Sequence, residues 1–255
     1  DEITSLEIAK SIADSGSHIH EISFPHAEAQ ADGPIIQLAN IESINKGINL
    51  NKIINIAKEI RNHNSEIGLC MMGYLNNLFI YGINKFAKDI SGVIDAVICV
   101  DLPSDVIEEK QLKEVLKKEN IALIKLITPT TSDERIKEIV KDAEGFVYSV
   151  NVEGQTGVKS ADIDKVNSQI ERIKKFTKIP VVSGFGIKNA GAMFRYRFDP
   201  ELAELKREGT SYCKNIFVFQ NKLRLQFPTV SWYLQQLTTV NKLEAYNNQI
   251  WIIGE

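Results

Sequence analysis

The chain has 255 residues, of which 44% are hydrophobic and 25% charged, and its formal net charge is −3. This composition is typical of a soluble globular protein with a full hydrophobic core. The weak negative net charge gives no electrostatic reason to expect nucleic-acid binding. No apolar segment approaches the roughly 20 residues that are needed to span a bilayer. The chain has three cysteines, Cys70, Cys99 and Cys213, and the first two lie in apolar strand-like segments. An odd number in such surroundings predicts small buried thiols in a reducing compartment, not a set of disulfide bonds. With no signal-peptide pattern at residues 1–5, we expect a cytoplasmic protein.

Strand-like and helical patterns alternate from residue 3 to residue 187. The predicted helices run from Ile3 to Ala13, Ser43 to Asn62, Ile83 to Ile90, Ser104 to Glu119, Ser132 through Val140, and Ala161 to Phe176. The predicted strands run from His18 to Pro25, Glu66 to Met72, Ile94 to Val100, Ile121 to Ile127, Gly145 to Val150, and Ile179 to Ser183. Ser104 or Asp105 is the expected N-cap of its helix.

Six strands separated by helices predict an α/β fold with a right-handed parallel sheet. Their regular succession favours a TIM (β/α)8-type barrel, incomplete or altered at both ends, over an open doubly wound sheet, which stays possible on this pattern. No G-x-G-x-x-G follows the first strand, which argues against a dinucleotide-binding fold.

The last 65 residues differ in kind from the rest. We predict a barrel portion over 1–190 and a divergent segment over 191–255. The segment carries a β-hairpin pattern around Asn221 and Lys222, a helical pattern from Trp232 to Leu243, and a final strand from Gln249 to Ile253.

Two carboxylates near the first predicted strand are the leading candidates for chemistry. Glu21 lies inside an apolar strand, where an acid is costly to ionise, and Asp32 lies on the loop that follows. Together they suggest an acid/base pair, although a strand-end Glu reaching solvent and an Asp before a Gly-Pro turn explain the same residues about equally well.

Further polar or glycine residues follow the later strands, where the active site of a βα barrel lies. They are Tyr74, Asn76, Asp101, Thr128, Thr156, Gly157, Gly184 and Gly186. The glycine pairs in 154–157 and 184–186 allow backbone N–H groups to approach an anion, and loops after late barrel strands often hold phosphate. These pairs favour a phosphate ligand about as strongly as they favour ordinary turns.

Six short motifs resemble the tryptophan synthase α subunit family. They are Glu21 with Phe24-Pro25, Ala31-Asp-Gly-Pro-Ile-Ile-Gln37, Met72-Gly-Tyr-Leu-Asn76, Val100-Asp-Leu-Pro103, Gly154-Gln-Thr-Gly157 and Ser183-Gly-Phe-Gly-Ile187. They occur in the family's order and close to its spacing across residues 1–190.

The resemblance implies a lyase of tryptophan biosynthesis that cleaves indole-3-glycerol phosphate to indole and glyceraldehyde 3-phosphate, without cofactor or metal. Glu21 matches the family's general acid/base, and Asp32 matches the carboxylate that pairs with the indole N–H. Tyr74 and Tyr148 would line the substrate pocket. Gly157, Gly184 and Gly186 would approach the phosphate, with Thr156 positioning the loop beside it. The family also implies a β subunit as partner.

The chain also departs from the family in ways that keep other functions open. The family's first strand and its later Gly-Ser phosphate motif have no counterpart, and residues 26–29 of the loop that faces the β subunit are altered. Glu153 adds an acid beside the expected phosphate. One alternative is therefore an impaired or recombined barrel acting as an interaction module. Another is a different phosphate-sugar-binding barrel.

A metal site is the least favoured of these hypotheses. His18 and His20 would share one face of the first strand while Glu21 points to the other. No third ligand is placed by the sequence, and such sites usually need three or four. We expect these histidines to face outward, against a helix or toward solvent.

Overall fold

The computed structural model describes residues 2–14, 19–150, 163–184 and 252–254. Its helices are α1 (Glu2–Asp14), α2 (Pro34–Asn45), α3 (Leu50–His63), α4 (Leu75–Tyr81), α5 (Ile83–Ile90), α6 (Ile107–Lys118), α7 (Asp133–Val140) and α8 (Ile163–Lys174). Its strands are β1 (Ile19–Ser23), β2 (Gly68–Gly73), β3 (Ala96–Cys99), β4 (Ala122–Leu123), β5 (Lys125–Ile127), β6 (Val147–Val150), β7 (Val181–Gly184) and β8 (Ile252–Gly254).

All described strand pairs are parallel, as the alternation of strands and helices predicts. They form two sheets, in the orders β4-β3-β2-β1-β8 and β5-β6-β7. Side chains from both sheets meet in one buried cluster that includes Cys70, Ile98, Tyr148 and Val182. The two sheets are thus the two parts of one curved wall around a common interior, an incomplete (β/α)8-type barrel. Within the described residues, β7 and β8 do not pair.

The predicted strand from Ile121 to Ile127 is wrong as a single element, because it breaks at Ile124. The Ile124 N–H still donates to the Val97 carbonyl at 2.9 Å, whereas Lys125 pairs with Val147 of β6. At this break the Lys125 ammonium forms a buried ion pair with Glu109 of α6. A cavity of about 460 Å³ opens beside the pair, lined by residues that include Cys99 of β3 and Leu126 of β5.

The structure also corrects three helix predictions. Residues 34–63 form two helices, not one late helix, because Gly47 has a φ of +78° and Asn49 caps a new helix by accepting from the Lys52 N–H. A short helix, α4, was not predicted. The helix expected from Ser104 begins at Ile107 instead, and Val106 is its N-cap without a side-chain hydrogen bond. Asp105 has a φ of +74°, which excludes it from a helix.

Alternation along β1 separates the barrel interior from the helical layer. Glu21 is in register with Cys70, which belongs to the inner cluster, and His20 is in register with Leu69, which packs against the helices. The expectation that His20 faces outward against the helices is therefore confirmed. His18 lies outside the described residues, as do the predicted hairpin and helix of the C-terminal segment.

The buried position of His20 predicts a specific loss of stability in acid. Burial lowers the pKa of His20 to about 4, and its Nδ1 atom has no hydrogen-bond partner among the described residues. The unfolded chain binds this proton near pH 6.5, so it holds more protons than the folded chain between pH 6.5 and 4. We expect the free energy of unfolding to fall over that window by about 3 kcal/mol on account of this residue.

Urea denaturation of the wild type and of His20→Leu at intervals from pH 7.5 to 4 measures the contribution of His20 to this decrease. In the variant the free energy of unfolding should fall less as the pH is lowered, whatever its value at neutral pH. His63→Gln, which changes an exposed histidine of α3, serves as the control and should keep the loss. Parallel profiles for the wild type and His20→Leu would contradict the assignment.

Candidate active site

Glu21 is a buried acid on the interior face of the barrel. Glu21 is 5% exposed to solvent, and the residue in register with it on β2 is Cys70. Burial raises the pKa of the Cys70 thiol, and the negative charges of Glu21 and Asp95 raise it further. The prediction of a carboxylate in an apolar strand is confirmed in its placement, and the solvent-reaching alternative is wrong.

Asp32 is the second buried acid, 8% exposed, on the loop between β1 and α2. The Tyr74 hydroxyl donates to its Oδ2 atom at 3.0 Å. The same hydroxyl accepts from the Ala31 N–H, also at 3.0 Å. Tyr74 therefore fixes both the side chain and the backbone of this loop. Burial raises the pKa of Tyr74, and the charge of Asp32 raises it further, so the phenol stays protonated as a donor.

Two more side chains tie the Asp32 loop to the barrel. Gln37 of α2 donates from Nε2 to the backbone carbonyls of Asp32 and Ala29, at 2.9 and 3.2 Å. Asn77 of α4 donates to the Pro25 carbonyl at 3.0 Å. Sequence reasoning missed the role of both residues. Gln37 had a usable signal, because it ends the family-like segment Ala31–Gln37 that also contains Asp32.

The aromatic surface of Tyr74 is also covered. The His26 ring stacks on it, with 4.7 Å between ring centroids and 21° between ring planes. His26 is the first residue of the altered segment 26–29, and it stands where the family pattern has an aromatic residue. Its imidazole keeps the flat contact that such a residue would make, so the loop retains an aromatic anchor.

The glycine of the Met72-Gly-Tyr motif allows the end of β1 to approach β2. The Phe24 N–H donates to the Met72 carbonyl at 3.0 Å, and the Phe24 ring lies over Gly73. A Cβ atom at Gly73 would come within 2.1 Å of that ring. Any side chain there would force the ring away and with it the start of the loop that carries Asp32.

Asp101, which follows β3, completes this part of the mouth. Its Oδ1 atom accepts from the Leu75 N–H at 2.8 Å and so caps the start of α4. Its charge also contributes to the raised pKa of Tyr74. The polar residues after β1, β2 and β3 thus meet at the carboxyl ends of the strands, as the barrel prediction requires.

The remaining predicted site residues fall into two groups. Tyr148 is buried in the same inner cluster as Cys70, the neighbour of Glu21. Gly184 is the last residue of β7, in register with Val150. Thr156, Gly157 and Gly186 lie outside the described residues, so their phosphate role stays a prediction.

Comparisons with known proteins agree with this geometry. The family profile described as tryptophan synthase alpha chain matches residues 1–196. The tryptophan synthase alpha chain of Phenylobacterium zucineum is 39% identical over 189 residues, which cover 74% of this chain and 68% of that protein.

Solved structures show the same similarity. Tryptophan synthase subunit alpha from Campylobacter jejuni is 32% identical, with a TM-score of 0.65 and 76% of each chain covered. The tryptophan synthase A-subunit from Pyrococcus furiosus is 28% identical, with a TM-score of 0.67, and the match covers 76% of this chain and 77% of that one. With buried acids on β1 and its loop, and a parallel barrel around them, this chain belongs to the tryptophan synthase alpha chain family.

Proposed function

We propose that this chain cleaves indole-3-glycerol phosphate to indole and glyceraldehyde 3-phosphate, with Glu21 as the general acid/base and Asp32 as the partner of the indole N–H. The family is one of lyases, and membership supports the reaction class. The observation that carries the assignment of residues is the pair of buried carboxylates on β1 and on the loop directly after it.

The reaction needs a proton on the indole carbon that carries the glycerol chain, and it needs the hydroxyl proton of that chain removed. Protonation of the carbon allows the carbon–carbon bond to break, and the electrons of that bond return to the indole ring. Loss of the hydroxyl proton leaves the aldehyde of glyceraldehyde 3-phosphate. Glu21 suits both steps, because a buried carboxyl group holds its proton more tightly than an exposed one and can take a proton back.

Asp32 suits a different role because it is held by a hydrogen bond from Tyr74. A donor favours the charged form of a carboxylate, and a carboxylate can accept several hydrogen bonds at once. Asp32 can therefore accept the indole N–H while it keeps the Tyr74 bond. Its negative charge would stabilise the positive charge that develops on the ring when the carbon is protonated.

The phosphate end of the substrate is assigned to the other side of the mouth. Gly184 stands at the end of β7, and we assign phosphate contacts to the backbone there and at Gly157 and Gly186, with Thr156 positioning the loop. The free thiols Cys70 and Cys99 are both buried, which supports a reducing compartment and hence the expected cytoplasmic location. No described helix has the length and apolar character needed to cross a bilayer.

An exposed apolar surface supports a protein partner at the barrel mouth. Helix α2 has no buried residue, and it exposes Ile35, Leu38, Ile41 and Ile44 at helical spacing. Helix α4 adds Phe79 and Ile80. Both helices follow strand ends at the mouth, where indole would leave. We therefore assign this surface, the mouth patch, to the β subunit that the family resemblance implies.

Replacing the proposed general acid/base should strongly slow the reaction. We expect Glu21→Gln to lower kcat for indole release by about 10² to 10⁴-fold, the usual contribution of a general acid/base, while the neutral isosteric amide leaves the fold intact. Indole release from indole-3-glycerol phosphate by the purified chain is the measurement.

The matched control is Glu59→Gln, the same chemical change at an exposed site on α3, and it should retain full activity. Equal activity of the wild type and Glu21→Gln would remove Glu21 from the mechanism. A folded wild type that releases no indole would instead favour the impaired barrel.

Removing the Tyr74 hydroxyl should affect Asp32 selectively. Tyr74→Phe deletes one bond to the carboxylate and one to the Ala31 N–H, each contributing about 1 kcal/mol. We expect kcat/KM to fall roughly 5- to 30-fold with thermal stability lowered slightly. Tyr81→Phe is the control, since its hydroxyl bonds Asn51, Lys85 and Asp89 away from the mouth. Tyr81→Phe should lower the thermal stability without lowering kcat/KM. Similar losses of kcat/KM in both variants would argue against a role for Tyr74.

A charge placed on the mouth patch should weaken partner binding. Ile35→Glu puts a carboxylate into the proposed interface at a residue that is 73% exposed, so the free chain should fold normally. We expect the Kd for a tryptophan synthase β subunit to rise at least tenfold, measured by titration calorimetry. Ile3→Glu on α1, at a residue 74% exposed, is the control and should bind normally. Equal affinities for the two variants would place the partner elsewhere.

A further inference from the structure

Strand β1, which carries Glu21, has a neighbour on each side. Strand β2 pairs with it over five residues, from Ile19 with Gly68 to Ser23 with Met72. On the other side β8, near the C-terminus, pairs with it in parallel, Ile19 with Ile252 and Glu21 with Gly254. Glu21 therefore lies between Cys70 and Gly254 in the sheet.

The pairing with β8 has a direct consequence for the Glu21 backbone. A strand with one neighbour presents a row of unpaired N–H and C=O groups, and its backbone twists and exchanges with water more easily. A strand is held more firmly where it has a neighbour on both sides, which for β1 is the segment Ile19–Glu21. Since the direction of a side chain follows from its backbone, β8 restricts where the Glu21 carboxyl group can point.

The residue that β8 places beside Glu21 is a glycine. Residues in register on parallel strands project to the same face of the sheet, so a side chain at 254 would stand on the inner face, next to the Glu21 carboxyl group. Cys70, on the other flank, is also small. The acid thus has a paired backbone on both sides and little side-chain bulk on either.

We propose that β8 is a positioning element for the catalytic acid: its pairing with β1 fixes Glu21 toward the substrate, and Gly254 leaves the space beside Glu21 for the indole ring. This inference rests on the proposed role of Glu21. It assigns to residues 252–254, which lie beyond the stretch matched by the family profile, a part in the reaction. Orientation of the acid governs kcat, whereas substrate binding elsewhere in the mouth governs most of KM.

The first test removes β8. A chain ending at Trp251 is compared with one that lacks only Glu255. We expect kcat for indole release to fall about 10- to 100-fold in the shorter chain, with KM changed less than about threefold, and the Glu255 deletion to match the full chain. An unchanged kcat would overturn the proposal.

The second test keeps the strand and fills the space beside the acid. Gly254→Val suits a strand by β-propensity but places a branched side chain next to Glu21. We expect kcat/KM to fall at least tenfold with thermal unfolding unchanged. Ile253→Val, one position away and in register with His20 instead of Glu21, should keep wild-type kinetics. The two variants, Gly254→Val and Ile253→Val, test the role of Gly254 even if the shortened chain does not fold. Wild-type kinetics in Gly254→Val would overturn that role.

Hydrogen exchange of the β1 amides separates this proposal from the proposed reaction. Protection of the β1 amides within residues 19–21 in the full chain, and loss of part of that protection in the shortened chain, would establish the β8 pairing without any substrate. If the full chain then released no indole, the reaction would be refuted and the pairing kept. Equal exchange in both chains would overturn positioning by β8 even where indole is released.

Discussion

The register between β1 and β2 is the constraint on which the candidate site depends. Neighbouring residues of a strand point to opposite faces, so a slip by one residue would turn Glu21 toward the helices and His20 into the barrel. The hydrogen bond from the Phe24 N–H to the Met72 carbonyl and the close packing of Phe24 on Gly73 oppose that slip. The apolar helical side of β1 opposes it further, since Ile22 belongs to the large outer core.

The second acid depends on the first strand in another way. Asp32 is eleven residues beyond Glu21 on a loop, and loops hold a side chain less firmly than strands do. Here the loop accepts hydrogen bonds from two side chains. Tyr74, after β2, donates to the Asp32 carboxylate, and Gln37, near the start of α2, donates to the Asp32 carbonyl. Tyr74 is buried and directly follows β2, so its two hydrogen bonds attach the loop to the barrel, while Gln37 attaches the loop to the helix that follows it. The two carboxylates can thus keep a fixed relation although only one lies in the sheet.

Much of this arrangement could be predicted from the residues. Alternating patterns gave the six strands and their parallel order, and the burial of Glu21 followed from its apolar neighbours. The break in the fourth strand could not be predicted, because Ile121 to Ile127 is uniformly strand-like, and the ion pair of Lys125 with Glu109 on the preceding helix α6 is visible only in three dimensions. Helix α2 was missed because its apolar residues are spread around the helix and give no one-sided pattern, although Pro34 is a favourable first residue.

The hydrogen bonds within the site show the same limit. Tyr74 and Asp32 were each identified from motifs, but nothing in a sequence joins residues 42 positions apart. Likewise, Asp101 was read as a strand-end residue, while its contact is with the first N–H of α4. Local pattern determines which elements form, and long-range pairing determines which of their polar groups meet.

The pairing of β8 with β1 also bears on the synthesis of the chain. Ile252 follows its partner Ile19 by more than two hundred residues, and ribosomes add about 5–20 residues per second. The edge of β1 that β8 will cover is therefore without that partner for roughly 10 to 50 seconds while β2 and the following helices emerge. Long-range parallel pairings of this kind form slowly and leave a strand edge open to other chains. The strand that holds the acid thus waits more than two hundred residues for its second neighbour, so aggregation during synthesis should begin at that edge.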